Sequence, residues 1–238
     1  MRNDGQLILA IGVARSGKSV LVKRIAEQQA ERVLVFDPKG EYVHQLGFTA
    51  CLSEQELLEQ AKATTGAGKL AFIASSPAEF ERFCQVAFTF NRQAPALIVC
   101  EELAAVTNTV KARGAWGRLV NQGLAFEPTI IATVQRGQEV DKSVMNNATY
   151  LHLCMHNTDD DAQYVAKKLG IALEQVPRQP LAFLQWRSGL GVVCQGQIDF
   201  HGKASGHWPD GTPRFFIGKQ RCRLDGARFA EVNYDNVK

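Results

Sequence analysis

The 238-residue sequence predicts an α/β fold, with a mostly parallel central sheet flanked by helices and a β-rich C-terminal extension. Three observations predict it. The apolar run Leu7-Ile8-Leu9-Ala10-Ile11 meets Gly12-Val13-Ala14-Arg15-Ser16-Gly17-Lys18-Ser19 and then a helical pattern from Val20, giving the order strand, glycine loop, helix. Short β-branched runs then alternate with helix-start signals to about residue 170, the pattern of parallel strands joined by crossover helices. After Pro180 this alternation gives way to paired β-like runs at 182–186 and 191–198.

The elements follow in order. A strand over 6–11 feeds the glycine loop and a helix to about Gln29. The run from Arg32 to Phe36 is a strand that ends in Asp37-Pro38-Lys39-Gly40-Glu41-Tyr42, a turn signal. A short strand at 48–51 precedes Ser53-Glu54-Gln55-Glu56, whose capping-box spacing opens a helix to about Thr64. A strand over 70–74 leads to Ser76-Pro77-Ala78-Glu79, a second such box with proline at the first helical position. Its helix places Phe80, Phe83, Cys84, Ala87 and Phe88 at helical spacing, a core stripe. Strands over 96–100, 129–134 and 150–155 and helices over 115–125, 139–146 and 159–169 complete the alternation. The last of these helices has acidic residues in its first turn and stops at Gly170. On this pattern one main α/β domain spans residues 1–199 and a Gly-, Pro- and charge-rich extension spans 200–238, with one β-like piece at 214–217.

Bulk properties narrow the function classes. The length suits one large domain with a small extension, and 45% hydrophobic residues supply a sizeable core. A net charge of +3 neither requires nor excludes nucleic acid. No apolar run reaches membrane-spanning length, and the loop begins too early to leave room for a preceding domain. The six cysteines are scattered without a C-x-x-C pair, so they read as core thiols. His152, Cys154 and His156 alternate along one expected strand, a spacing of core or interface residues and not of a zinc site.

The residues from Gly12 to Ser19 have the G-x-x-x-x-G-K-S spacing of the Walker A phosphate loop. Glycines let backbone N–H groups turn toward phosphate oxygens, and the following helix adds a positive dipole end. Gly12, Val13, Ala14, Arg15, Ser16, Gly17, Lys18, Ser19 and Val20 are therefore the expected nucleotide-binding residues. Lys18 can reach the outer phosphates and Ser19 can ligate Mg²⁺. Hydrolysis further needs a carboxylate for the metal and one for the water, both at the end of a buried parallel strand. Glu101 and Glu102 stand there, Glu101 as metal ligand and Glu102 as general base. Gln135, at the end of the next β-strand, is placed to report the γ-phosphate. A strand between the phosphate-loop strand and the acidic strand, with the additional glutamate, points to the branch of P-loop proteins that includes RecA-like and AAA+ motors. No N-K-x-D signature for GTP is present.

The set of motifs resembles the FtsK/HerA superfamily of DNA-pumping ATPases. The matching pieces are the loop at Gly12 to Ser19, the turn from Asp37 to Tyr42, the acidic pair Glu101-Glu102, the piece Ile130-Ile131-Ala132-Thr133-Val134-Gln135-Arg136, and the helix near Asn157 to Leu169. They cover most of residues 6–195, and the nearest likeness is to compact genome-packaging ATPases of tailless double-stranded DNA viruses with an internal membrane. The resemblance implies a RecA-like core, ATP and Mg²⁺ as cofactors, double-stranded DNA threaded through a ring, usually a hexamer, and docking at a capsid vertex or with other packaging proteins. It implies residence in the virion or the host cytoplasm. It also implies an arginine that completes a neighbouring subunit's site, for which Arg118 is the expected residue, with Arg113 and Arg136 behind it. Two departures stand out: the family usually has Asp where Glu101 stands, and Leu124 lies about where the trans-acting arginine is expected. Lys111 and Arg113, in a glycine-containing loop, are the expected DNA contacts. The expected function is ATP-driven translocation of double-stranded DNA into a preformed capsid. The alternatives are a filamentous-phage-type assembly or DNA-export ATPase, and a nucleotide-dependent scaffold docking through the C-terminal Trp208, Phe215 and Phe216.

Overall fold

Every residue of β1 (Gln6–Ile11) is buried, because the two faces of this strand are both covered. Leu7, Leu9 and Ile11 enter one core while Ile8 and Ala10 enter another, as the two-residue repeat of a strand dictates. The computed structural model describes residues 5–28, 30–199, 204–207, 209 and 213–216. Among the described residues eleven strands form one sheet, in the order β11-β10-β9-β8-β7-β1-β6-β5-β2-β4-β3. From β3 to β7 all neighbours are parallel. These strands are β2 (Arg32–Phe36), β3 (Thr49–Cys51), β4 (Gly68–Phe72), β5 (Leu97–Cys100), β6 (Thr129–Val134) and β7 (Tyr150–Leu153), with β1. From β7 onward the neighbours are antiparallel: β8 (Ala182–Arg187), β9 (Gly191–Ile198), β10 (Ala204–His207) and β11 (Pro213–Phe216). The fold is the expected mixed α/β one.

Helices cover both faces. α1 (Lys18–Gln28) packs Val22, Ile25 and Ala26 with Ile8, Val33, Val35 and Val99 on one face, where α2 (Glu41–Leu46) adds Tyr42. The other face receives α3 (Glu54–Ala63), α4 (Pro77–Gln93), α5 (Gly114–Asn121), α6 (Lys142–Asn147) and α7 (Asp159–Leu169). Phe36 sits there at the centre of an aromatic cluster, with edge contacts to Phe72, Phe80 and Phe83. Phe80 and Phe83 are buried as expected, whereas Phe88 is only partly covered.

Capping chemistry sets the helix starts. Ser76 and Glu79 form the expected reciprocal box at α4. At α3 the box is incomplete: Ser53 accepts from the Glu56 N–H, but Glu56 reaches back to the Leu52 N–H instead of Ser53. Asp141, wholly buried, caps α6 through the Val144 N–H and also accepts from Trp116 Nε1, which ties α5 to α6. This cap splits the stretch expected as one helix over 139–146 into a 3-10 turn at Gly137–Glu139 and α6. The helix expected over 115–125 likewise ends at Asn121 and continues as a 3-10 turn over Gly123–Phe126. Glu127 takes a left-handed conformation there, just before Pro128. The turn after β2 holds an unexpected short helix, α2, bracketed by the left-handed Gly40 and Gly47.

β7 is shorter than expected. It ends at Leu153, although the Cys154 N–H still donates to the Ile11 carbonyl at 2.7 Å. His152, Cys154 and His156 are all buried, with only His152 within the strand. No group of residues able to hold a metal ion occurs among the described residues. Cys51, Cys84, Cys100 and Cys154 are free thiols in the core, and Cys194 is likewise buried. No described helix is long and apolar enough to cross a membrane. β10 and β11 continue the same sheet edge; Trp208 and the side chains of Phe215 and Phe216 lie outside the described residues, as do most of 200–238.

Candidate nucleotide site

The carboxyl ends of β1, β2, β5 and β6 lie side by side on one edge of the sheet, and each delivers one piece of the site. The glycine loop follows β1, Asp37 to Gly40 follows β2, Glu101-Glu102 follows β5, and Gln135 follows β6. β6 lies between β1 and β5, the placement expected from the motifs.

The loop is braced from below. The Gly12 N–H donates to Val134, the Val13 N–H to Met155, and the Ser16 N–H to Val13. Gly12 has φ +156, and a Cβ there would stand 2.7 Å from the Cys154 Cβ and 2.9 Å from Ser16 Oγ, so only glycine fits between loop and floor. Gly17 has φ +102. Arg15, exposed at the tip, takes the left-handed region at φ +61, while Ala14 and Val20 are also exposed. Lys18 opens α1 and is 9% exposed. Its ammonium donates to the carbonyls of Gly12 and, at 3.0 Å, Val13. Burial lowers its pKa, partly offset by Cys154, Glu102 and Glu101. Ser19, next to it, is half-buried at the mouth of the loop.

The acidic pair divides into two environments. Glu101 is buried and accepts hydrogen bonds from Tyr42 Oη at 2.7 Å and Thr133 Oγ1 at 2.5 Å. Burial pushes its pKa up, outweighing those two donors. Glu102 has a left-handed backbone, φ +54, fixed by its N–H donating to Thr133 Oγ1 at 3.1 Å. Its carboxylate accepts from Lys39 Nζ at 2.7 Å and from Gln135 Nε2 at 3.4 Å. Burial acts to raise the Glu102 pKa, but the Lys39 hydrogen bond and charge, with help from Gln135 and Lys18, leave it lowered. Glu102 is thus the ionised member and Glu101 the one that takes a proton more readily.

The Asp37 turn explains how these partners are held. Asp37, buried, accepts from the N–H groups of Glu41 and Tyr42 at 3.0 and 2.8 Å, which starts α2 and aims Tyr42 at Glu101. Lys23 of α1 bonds Glu41 and, at 2.9 Å, Gln45, which locks α2 against the loop helix. Lys39, Tyr42 and Thr133 were not among the residues expected from the sequence to form the site. The signals for them were present in the Asp-Pro-Lys-Gly-Glu-Tyr turn and in the Thr two residues before Gln135.

The expected arginines lie elsewhere. Arg118 is exposed on α5, with its guanidinium 4.9 Å from the Phe88 ring centroid. Arg113 is exposed at the start of α5. Arg136 pairs with Asp161 of α7 at 2.9 Å. Lys111 is exposed in the segment after the acidic pair, beside the exposed Val110.

The buried Glu101 yields a pH-dependent stability prediction. Its folded pKa lies above the unfolded value of about 4.3, so its contribution to stability is full below that pH and is lost as pH rises through the folded value. Glu101→Gln removes the titration and keeps an acceptor for Tyr42. Thermal melts should therefore show the variant ~2–4 °C more stable than the parent at pH 7.5, with the gap closing below about pH 4. A constant gap across pH would contradict this account of Glu101.

Comparison with known proteins agrees with the geometry. Residues 10–122 match the family model described as "Helicase HerA, central domain". Protein P9 of Pseudoalteromonas phage PM2 is 27% identical over 183 residues, which cover 74% of this chain and 83% of that protein. Among solved structures, the genome-packaging NTPase B204 of Sulfolobus turreted icosahedral virus 2, in complex with ATP-gammaS, aligns with a TM-score of 0.62 at 16% identity, over 79% of this chain and 94% of its own. The pCW3 conjugation coupling protein TcpA, also with ATPgS, aligns at 0.52 and 15% identity, over 83% of this chain and 61% of its own. At these identities the structures establish the fold, a P-loop NTPase.

Proposed function

From the match to the HerA central domain over residues 10–122, we propose that the chain is an ATP-hydrolysing motor that moves double-stranded DNA into a viral capsid. The observation that carries the hydrolytic part is the pairing of a braced phosphate loop after β1 with two glutamates in unlike environments after β5, with β6 between the two strands. Lys18 and the loop N–H groups bind the phosphates, with Arg15 at the loop tip. Glu102, kept ionised, accepts the proton of the attacking water, and Gln135 beside it orients that water against the terminal phosphate.

The donor set fits Mg²⁺: a serine hydroxyl in Ser19 and a carboxylate in Glu101 that retains free lone pairs beyond its two hydrogen bonds. Such an ion, when bound with the nucleotide, neutralises charge on the β- and γ-phosphates. The similarity to protein P9 of phage PM2 and the likeness to a genome-packaging NTPase support the packaging role. In this reading the segment bearing Lys111 and Arg113 contacts DNA phosphates, because it follows directly from the acidic pair and is exposed. A self-assembled ring, a capsid vertex and a neighbour's arginine, with the exposed Arg118 as the residue offered, complete the proposal.

Double-stranded DNA of increasing length should raise ATP turnover until the motor runs its full course on each molecule. Steady-state hydrolysis measured against a length series of linear duplexes tests this. A rate indifferent to DNA would leave the scaffold reading in place of the motor.

A further inference from the structure

The ion pair between Lys39 and Glu102 stands out because it holds the expected general base at a site that must also admit a highly charged anion. We infer that Lys39 is a second phosphate-binding cation, which leaves Glu102 for the terminal phosphate of a bound nucleoside triphosphate and thereby frees that carboxylate for the attacking water. The inference rests on the ATPase reading above and adds a residue to it.

Four observations support it. First, the Lys39 ammonium is 2.7 Å from Glu102 Oε1, and Glu102 in turn touches Gln135, so Lys39 lies beside the γ-phosphate face of the site. Second, the turn that carries Lys39 follows β2, whose neighbour β5 leads to Glu102 and is separated from the phosphate-loop strand β1 by β6 alone. Third, the Lys39 backbone is anchored while its side chain, held by Glu102, is open to solvent. Asp37 and Gly40 close the turn, with the Gly40 N–H donating to Asp37 and Asp37 capping α2, yet the Lys39 side chain is 59% exposed. Fourth, the charge balance demands a mobile cation. Glu101, Glu102 and Glu41 all bear on Lys39, and a triphosphate adds several negative charges to that side.

A half-exposed Lys–carboxylate pair is weak, so a phosphate oxygen with greater charge displaces the carboxylate readily. Before nucleotide arrives, Glu102 is neutralised by Lys39 and does not repel the incoming phosphates. After Lys39 has moved to the phosphate, Glu102 regains its full basicity where the water sits. No bond is made or broken in this exchange. It makes the base available only when a terminal phosphate is present, which distinguishes triphosphate from diphosphate.

The test uses the full chain, with Lys39→Ala and Lys39→Arg. Affinities for ATPγS and for ADP are titrated with fluorescent analogues, and kcat and KM for ATP are measured in parallel. Lys39→Ala should weaken ATPγS roughly tenfold or more while leaving ADP nearly unchanged. KM should rise and kcat fall together in that variant, and Lys39→Arg should restore most of the preference for triphosphate. Equal weakening of both nucleotides would overturn the inference by making Lys39 a structural residue. Unchanged affinities with faster turnover would also overturn it, by making Lys39 a simple brake on Glu102. Failure of the underlying reading has a different signature: a parent chain, folded by its melting curve, that binds neither nucleotide.

Discussion

Replacing Glu102 with glutamine should lower ATP turnover by about 10²–10⁴-fold while nucleotide affinity stays the same or tightens. The expectation follows from what surrounds this carboxylate. Glu102 is the ionised member of the pair, held by Lys39 and touched by Gln135, at the end of β5. An amide has no proton-accepting oxygen of comparable basicity, so water loses its base, while the change removes one negative charge that faces the phosphates. The backbone need not move, because the left-handed Glu102 is fixed through its N–H to Thr133 and not through its carboxylate. Steady-state hydrolysis and ATPγS titration on the same preparation separate the two effects. Parallel losses of binding and turnover would show that Glu102 serves the cradle and not the chemistry. Glu101→Asp gives the useful contrast, since it keeps the charge but draws the carboxylate back from Tyr42 and Thr133.

The two glutamates illustrate how far the residues alone could be read. Their position at the end of an apolar run was legible, and so was a division of labour between them. What makes them different was not legible, because it arises from the partners of each: Tyr42 from the turn after β2, Thr133 from within β6, and Lys39 from that same turn. These contacts join residues 32 to 63 positions apart in the chain, and only the strand order brings them together. The core was legible for a simpler reason. Parallel strands buried on both faces are apolar throughout, as β1 and β5 are, and such runs announce themselves. Local caps were legible at Ser76 and less so at Asp141, whose second role, accepting from Trp116 across 25 residues, has no sequence pattern. The trans-acting arginine was implied by the family resemblance, with Arg118 as the residue expected for it. Its position over Phe88 accounts for why nothing in its own subunit identifies its target.

Lys18→Ala should reduce affinity for ATP by about 10–100-fold and turnover by more, with little loss of fold stability. Two features of Lys18 set these signs. Its ammonium is buried and desolvated, held by the carbonyls of Gly12 and Val13, so the folded chain already bears the cost of keeping a cation there. Removing that cation relieves the cost, which offsets the loss of its bonds to the buried Gly12 carbonyl and to the part-buried Val13 carbonyl, where water can replace the donor. The melting temperature should therefore stay close to that of the parent. A bound triphosphate has no such compensation. It draws the ammonium from the carbonyls to the outer phosphate oxygens, as a charge-assisted bond that strengthens as charge builds on those oxygens during transfer. Lys18→Arg should not rescue, because the planar guanidinium is larger than the compact ammonium that the loop encloses. The decisive comparison is ATP against ADP: removing a contact to the outer phosphates weakens ATP more than ADP. Equal losses for both would place Lys18 in the framework of the loop, with the phosphates held by backbone N–H groups alone.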